Sequence, residues 1–213
     1  PYSMPSPFVV LKSFGKKIVS PSPDGSVLLT HILASLKIAV LGFLAGSAIG
    51  IPLGIALAWS NRFEMLLKPV FDFFRTIPPI GWIPVMIIVL GINTEAKVAV
   101  IFIASVTPAI INSYSGIKQT NPIHLWVGQT FGATNAQLLW KIAVPTALPF
   151  IFTGLRVAIN ISWTCLVAAE LVAATKGLGY MIQISRTIGR SDIIIVGMLT
   201  IAAVGAFLST ILE

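Results

Sequence analysis

The chain is short of nearly everything a soluble enzyme uses. Of its 213 residues only 10% are charged and one, Cys165, is a cysteine. An intrachain disulfide is therefore excluded, and the lone thiol, set in an apolar run, reads as a small packing residue. The two histidines, His31 and His124, lie far apart, and with a single cysteine they make no metal-ligand cluster. No Gly-x-x-x-x-Gly-Lys-Ser/Thr loop occurs, so nothing here cradles nucleotide phosphates. No Ser-His-Asp arrangement in a workable frame offers a nucleophile either. Acids number 7 against 14 bases, for a net charge of +7. The bases are scattered between apolar runs instead of forming a stripe, which suits lipid headgroups and excludes nucleic acid as a partner. Enzyme chemistry, a resident metal and a resident cofactor are set aside on these grounds.

What is present is apolar: 56% of the residues are hydrophobic and the mean hydropathy is +0.94. These values predict a polytopic membrane protein with an all-α helix bundle as its single membrane domain, from residue 26 to 213. Residues 1–25 hold five of the fourteen prolines together with Lys12, Lys16 and Lys17. They read as an irregular segment carrying a short amphipathic helix around Phe8 to Val19, lying at a membrane face in contact with lipid. Five spans are expected, at about 36–59, 66–90, 96–112, 146–173 and 192–212; the apolar stretch of the first, Ile38 to Trp59, is about 33 Å long as a helix, enough for a hydrocarbon core of about 30 Å.

Two spans carry internal punctuation. In the first, Gly42, Gly46, Gly50 and Gly54 recur at every fourth residue, which leaves one helix face bare and predicts a helix-packing seam. In the second, Pro78, Pro79, Gly81 and Pro84 make an unbroken helix untenable. Broken backbone at membrane depth is tolerated where protein or a wet cavity covers it, so Pro78, Pro79 and Trp82 are candidates for bordering a solute pathway, with a plain structural kink as the alternative. In the fourth span Thr153, Arg156, Asn160, Trp163, Val167 and Glu170 fall on about a 100° arc, a face that should point inward. Asn160, Trp163, Thr164 and Glu170 join the pathway candidates. For Glu170 the other reading is a buried acid that fixes the turn Lys176 to Tyr180.

Between the third and fourth spans, at about 118–145, lies a mixed stretch. Gln129, Asn135, Gln137 and Lys141 stand among apolar residues at helical spacing, which predicts a loop facing water. A short helix near 135–144 should stop at Pro145, and a helical knob of this kind suits a partner's groove.

The run Gly132-Ala133, Ile142, Val144-Pro145, Ala147-Leu148-Pro149 and Gly154-Leu155-Arg156 resembles the cytoplasmic coupling loop of type I ABC importer membrane subunits. The block Phe74 to Pro84 is similar to a second signature, of the branch that carries taurine, alkanesulfonates, nitrate and related small solutes. The resemblance covers nearly all of residues 5 to 213. Where that family's loop opens with Glu-Ala-Ala, this chain has Trp126-Val127-Gly128. An ionic contact from that acid is thereby lost, and shape and apolar contact become the expected basis of docking.

The resemblance implies a five-helix importer core in a bacterial inner membrane, crossed several times, with one further helix ahead of this chain. It implies a second copy of the chain, two ABC ATPase subunits that hold ATP and Mg, and an extracytoplasmic substrate-binding protein. Gln129, Phe131, Gly132, Ala133, Leu138, Leu139 and Pro145 are the implied ATPase-coupling residues. The run Leu166 to Tyr180 is most similar to the taurine and alkanesulfonate members. Nitrate, bicarbonate or a pyrimidine precursor stay open as solutes, and a secondary carrier or channel is the competing class. With the coupling loop placed inside, the basic residues favour the outer side, against the usual inside-positive bias.

Overall fold

An apolar chain in lipid can satisfy its backbone amides only within helices or a closed barrel, and this chain takes the first course. The computed structural model describes residues 5–211; the first four residues of the 1–25 segment and the Leu212 end of the last expected span lie outside them. Among the described residues there is no strand. The helices are α1 (Pro7–Val19), α2 (Leu28–Trp59), α3 (Asn61–Phe74), α4 (Ile83–Leu90), α5 (Thr94–Lys118), α6 (Pro122–Thr130), α7 (Asn135–Leu138), α8 (Val144–Val172), α9 (Leu178–Thr187) and α10 (Ser191–Ile211). A 3₁₀ turn at Pro79–Trp82 precedes α4, and a π-helical segment, Leu139–Ala143, joins α7 to α8.

At the centre stands α5, packed along α2 on one side and α8 on the other, with α9 and α10 against α8 and α1 against α10. Four stretches are long and apolar enough to cross a membrane: α2, α5, the rod 135–172 and α10. A fifth crossing is available only if α3 and the segment 79–90 count together, and these are bent by 80° at the break. The bend has a local cause. Pro78 is extended (ψ 134°) and Pro79 opens the 3₁₀ turn, and a residue ahead of proline is pushed out of the helical region while proline itself donates no amide.

Three expected boundaries are corrected. The third span does not close at 112, because its polar residues are absorbed: Asn112 Nδ2 donates to the Pro108 carbonyl at 2.9 Å and Ser113 is buried, so α5 runs on to Lys118. The helix expected at 135–144 does not stop at Pro145 either. The Val144 amide donates five residues back to the Leu139 carbonyl, a wide turn that slips the hydrogen-bond register just ahead of the proline, whose missing N–H is harmless in the first turn of α8. One rod of 38 residues, Asn135–Val172, results. The fourth expected span, starting at 146, is the latter part of that rod.

The glycine face of α2 is pressed onto α5. A methyl group built on Gly42 would fall 2.6 Å from Ile101 Cβ, on Gly46 1.8 Å from Ser105 Oγ, on Gly50 2.8 Å from the Val106 carbonyl, and on Gly54 2.5 Å from the Ile110 carbonyl. Ser105 Oγ stitches the pair, donating towards the Gly42 carbonyl at 3.2 Å.

Candidate functional site

The α5–α8 connection is built as a small helical module. Asn121 accepts from the Ile123 amide at 2.9 Å and Pro122 fills the first turn, which together start α6. Gly132, at φ +80°, supplies the left-handed turn that ends it. Thr134 and Gln137 then form a reciprocal capping box, with 2.8 Å and 3.3 Å bonds, that starts α7. The two helices lock at Gly128, where a side chain would meet Leu138 Cδ2 at 2.6 Å and Ile142 Cδ1 at 3.0 Å. Glycine at the end of Trp126-Val127-Gly128 therefore seats Leu138, which is 2% exposed.

The expected coupling residues divide on this geometry. Leu138 faces inward, and Leu139 packs against the buried cluster of Ala143, Ala147 and Ile151. Gln129, Gly132 and Pro145 are exposed, Ala133 is half-buried, and Phe131 is 86% exposed. No residue of α6 is buried, and in the stretch expected as the knob, 135–144, Asn135, Gln137, Trp140 and Lys141 are exposed as well. Ile123, Trp126 and Val127, absent from the expected set, present a large apolar surface beside Phe131. Their signal was a nine-residue helix with no buried residue, a pattern visible only once the neighbours of α6 are placed.

The expected pathway residues divide too. Pro78, Pro79 and Trp82 lie at the 80° bend, with the Trp82 ring 6.5 Å from that of Phe74. Asn160 and Thr164 share an exposed face of α8 with Thr153 and Val157. Trp163 and Glu170 do not reach it. Trp163 is 6% exposed, donates Nε1–H to the Ile201 carbonyl at 3.1 Å, and sits against Gly205 of α10. The arc that includes Asn160 and Glu170 is split because α10 and α9 cover one edge of it.

Glu170 belongs to a buried clamp on the α8–α9 turn. Three consecutive backbone amides there meet three side-chain acceptors: Gly177 N–H to His31 Nδ1 (3.1 Å), Leu178 N–H to Ser35 Oγ (2.9 Å) and Gly179 N–H to Glu170 Oε2 (2.9 Å). Ser35 Oγ in turn lies 2.7 and 2.9 Å from the two carboxylate oxygens of Glu170. Glycine is required twice, since a Cβ on Gly177 (φ +131°) would fall 2.3 Å from the carboxylate and one on Gly179 2.7 Å from Glu170 Cβ.

The clamp extends to α1. Because Nδ1 of His31 accepts, its proton sits on Nε2, 3.1 Å from Asp24 Oδ2, and Asp24 also pairs with Lys17. Lys17 further donates to the Ser26 carbonyl at 2.7 Å. Burial pushes the Asp24 carboxyl up, but the close contacts with His31 and Lys17 outweigh it and hold it below the ordinary 3.8. A depressed folded value means this attachment is intact above 3.8 and is lost as pH falls through the folded value. Asp24→Asn should loosen α1, read as several-fold faster proteolytic cleavage within residues 5–25 at neutral pH. Unchanged cleavage would show that the pair does not anchor the helix.

A further polar feature lies on α3. Glu64, Lys68, Asp72 and Arg75 follow one another at helical spacing and turn towards α5, while Met65, Leu66, Val70 and Phe73 point outward. Glu64 accepts from Lys118 Nζ at 2.6 Å and from the Tyr114 hydroxyl; Arg75 Nε bonds Asp72 Oδ1 at 2.7 Å. Among the described residues no group of three His, Cys, Asp or Glu gathers in a way that could hold a metal.

Comparison with known proteins assigns this architecture. Residues 50–213 match the family described as binding-protein-dependent transport system inner membrane component. The chain belongs to that family: it is the permease subunit of an ABC importer. The taurine transport system permease protein TauC of Escherichia coli (strain K12) is 36% identical over 211 residues, covering 98% of this chain and 75% of that protein. The nitrate import permease protein NrtB of a Synechocystis strain is 33% identical over 210 residues, covering 97% and 76%. A solved amino acid ABC transporter shares the fold, with a TM-score of 0.70 at 15% identity over 97% of this permease and 99% of that chain. The permease is a multi-pass membrane protein, and ATP hydrolysis is not its own task.

Proposed function

We propose that this permease admits a small anionic or zwitterionic solute into the cell, taurine or another alkanesulfonate in the first instance. It does so as a pair of identical copies seated on two ATPase subunits that carry ATP and Mg, with an external binding protein delivering the solute. The observation that carries the solute assignment is the 36% likeness to a taurine permease along 98% of the chain. The test is uptake and ATPase stimulation by the reconstituted importer with its cognate binding protein, offered taurine, other alkanesulfonates, nitrate and bicarbonate. Taurine should give the largest response, and a response to nitrate alone would overturn the sulfonate assignment.

The α6 knob is the surface offered to the ATPase. Its contact is apolar, through Trp126 and Phe131, and a push on α6 reaches the membrane because Gly128 locks it onto Leu138, the start of the rod that continues as α8. ATP-driven closure of the ATPases would then tilt that rod and open the solute cavity outward. Phe131→Ala with Trp126→Ala removes two exposed rings of the kind that dominate protein interfaces, each worth about 2 kcal/mol or more when buried there. Recovery of the ATPase with a tagged permease should fall at least tenfold while membrane insertion stays normal. Gly132→Trp should do the same by straining the turn at φ +80°. Undiminished co-purification of both variants would place the docking surface elsewhere, and a permease that never brings down an ATP-binding protein would favour a carrier or channel.

A further inference from the structure

An ionisable side chain on a membrane-spanning segment faces either protein or water, because exposure to lipid at mid-membrane costs a few kcal/mol. The stripe on α3 faces water: Asp72 and Arg75 are about two-fifths exposed and border an open cavity of about 210 Å³ between α3 and α5. Lys68, Asp72 and Arg75 line one wall, Tyr114 and Ser115 the other. At about 30 Å³ for each water in the liquid, this is room for several waters or for a small hydrated solute.

The charges around the cavity do not cancel. Three bases, Lys68, Arg75 and Lys118, face two acids, Glu64 and Asp72, which leaves one positive charge in excess. The pairing shows which base carries it. Glu64 is taken by Lys118 and Tyr114, and Asp72 by Arg75. Lys68 lies with its ammonium 5.3 Å from the centre of the Tyr114 ring; among the described residues no carboxylate is within 4 Å of it, although Glu64 is near enough to feel its charge. Arg75 bonds Asp72 through Nε, so the outer edge of its guanidinium remains to donate.

We infer that the α3–α5 cavity is an oxyanion-binding station inside the permease, with Lys68 as the counter-charge, Arg75 as the directional donor, and Asp72 as the acid that keeps the site weak. This rests on the solute carrying an anionic oxygen group, as sulfonate, nitrate and bicarbonate do. A station on a transport route must hold an anion well enough to admit it and loosely enough to release it. A lysine resting on an aromatic face, beside an arginine half-occupied by an acid, meets both demands. The stripe also gives a role to four of the five charged residues of the bent segment, since a purely structural kink needs none.

The test measures anion binding directly, without the binding protein, on the detergent-solubilised permease–ATPase complex. Taurine, methanesulfonate and nitrate are titrated and thermal stabilisation is read. Lys68→Gln should raise the Kd for each anion about tenfold, the scale of one charge-assisted contact, and Lys68→Arg should restore it. Asp72→Asn should lower the Kd several-fold by freeing Arg75, a gain that a folding defect cannot imitate. Wild-type affinity in Lys68→Gln, weaker binding in Asp72→Asn, or no anion binding to the parent complex would each overturn the site. The solute assignment fails separately. If the parent importer takes up nitrate and not taurine, the sulfonate reading falls while the Lys68 comparison is still decided with nitrate. If it takes up taurine and Lys68→Gln binds and imports it equally well, only the station falls.

Discussion

Gly46→Val will separate α2 from α5 and cost the permease about 3 kcal/mol or more, the upper end for overpacking a close-packed site. The reason lies in what the new side chain meets. Its Cβ would stand 1.8 Å from Ser105 Oγ and 2.8 Å from the Phe102 carbonyl, and a helix backbone cannot yield as the tip of a long side chain can. The clash also displaces Ser105, whose hydroxyl reaches across to the Gly42 carbonyl. In lipid there is no hydrophobic drive to force the helices back together, because the tails are as apolar as the side chains, so close contact is most of what holds the pair. Gly54→Ala should behave alike, with its Cβ 2.5 Å from the Ile110 carbonyl. Gly15→Ala, in α1 with nothing within 4 Å, should be neutral or gain up to about 1 kcal/mol of helix propensity. Thermal unfolding in detergent separates the two classes; equal behaviour of Gly46→Val and Gly15→Ala would refute the seam.

Glu170→Ala is expected to be nearly as damaging, by about 3 kcal/mol, for a different reason. It creates a cavity, and it leaves the Gly179 amide and the Ser35 hydroxyl without their acceptor in a site where Glu170 is 1% exposed and water cannot substitute. Each buried group left unsatisfied costs about 1 to 3 kcal/mol. Glu170→Gln keeps one acceptor oxygen and should lose roughly half as much. Both variants should lower the amount of folded permease without changing which solute the surviving importers prefer. A Glu170→Gln importer of normal stability with altered solute preference would return this acid to the pathway.

Much of this molecule was legible in its sequence because helical geometry is local. Four glycines at every fourth position must share a face whatever else the chain does. Pro78-Pro79 must interrupt a helix, and the turn Lys176-Gly177-Leu178-Gly179 with an acid, Glu170, shortly before it invites a clamp. The coupling module was visible as a mixed stretch between apolar ones. Its orientation was not: Pro145 carries the same chemistry whether it ends a helix or opens one, and the π-turn at Leu139–Ala143 decides between the two.

Other decisions required the neighbours. Asn160 and Trp163 are three residues apart on one helix, yet one is exposed and the other buried, because α10 covers only part of α8. Lys17 looks like an outer-surface base in the charge tally but is 1% exposed and neutralised by Asp24, so counting it as a free charge misleads the orientation rule. The charges on α3 find partners on α5 that no local spacing announces, Glu64 meeting Tyr114 and Lys118.

The sequence by itself determined that this is a helical membrane subunit without fuel of its own, and which of its faces are bare, since hydropathy, motif content and helical periodicity are properties of a single segment. Which face each helix buries, which acid clamps a turn, and where Lys68 meets a cavity beside Tyr114 were decided only by the tertiary structure. Those depend on distances between segments far apart in the chain, which no local spacing encodes.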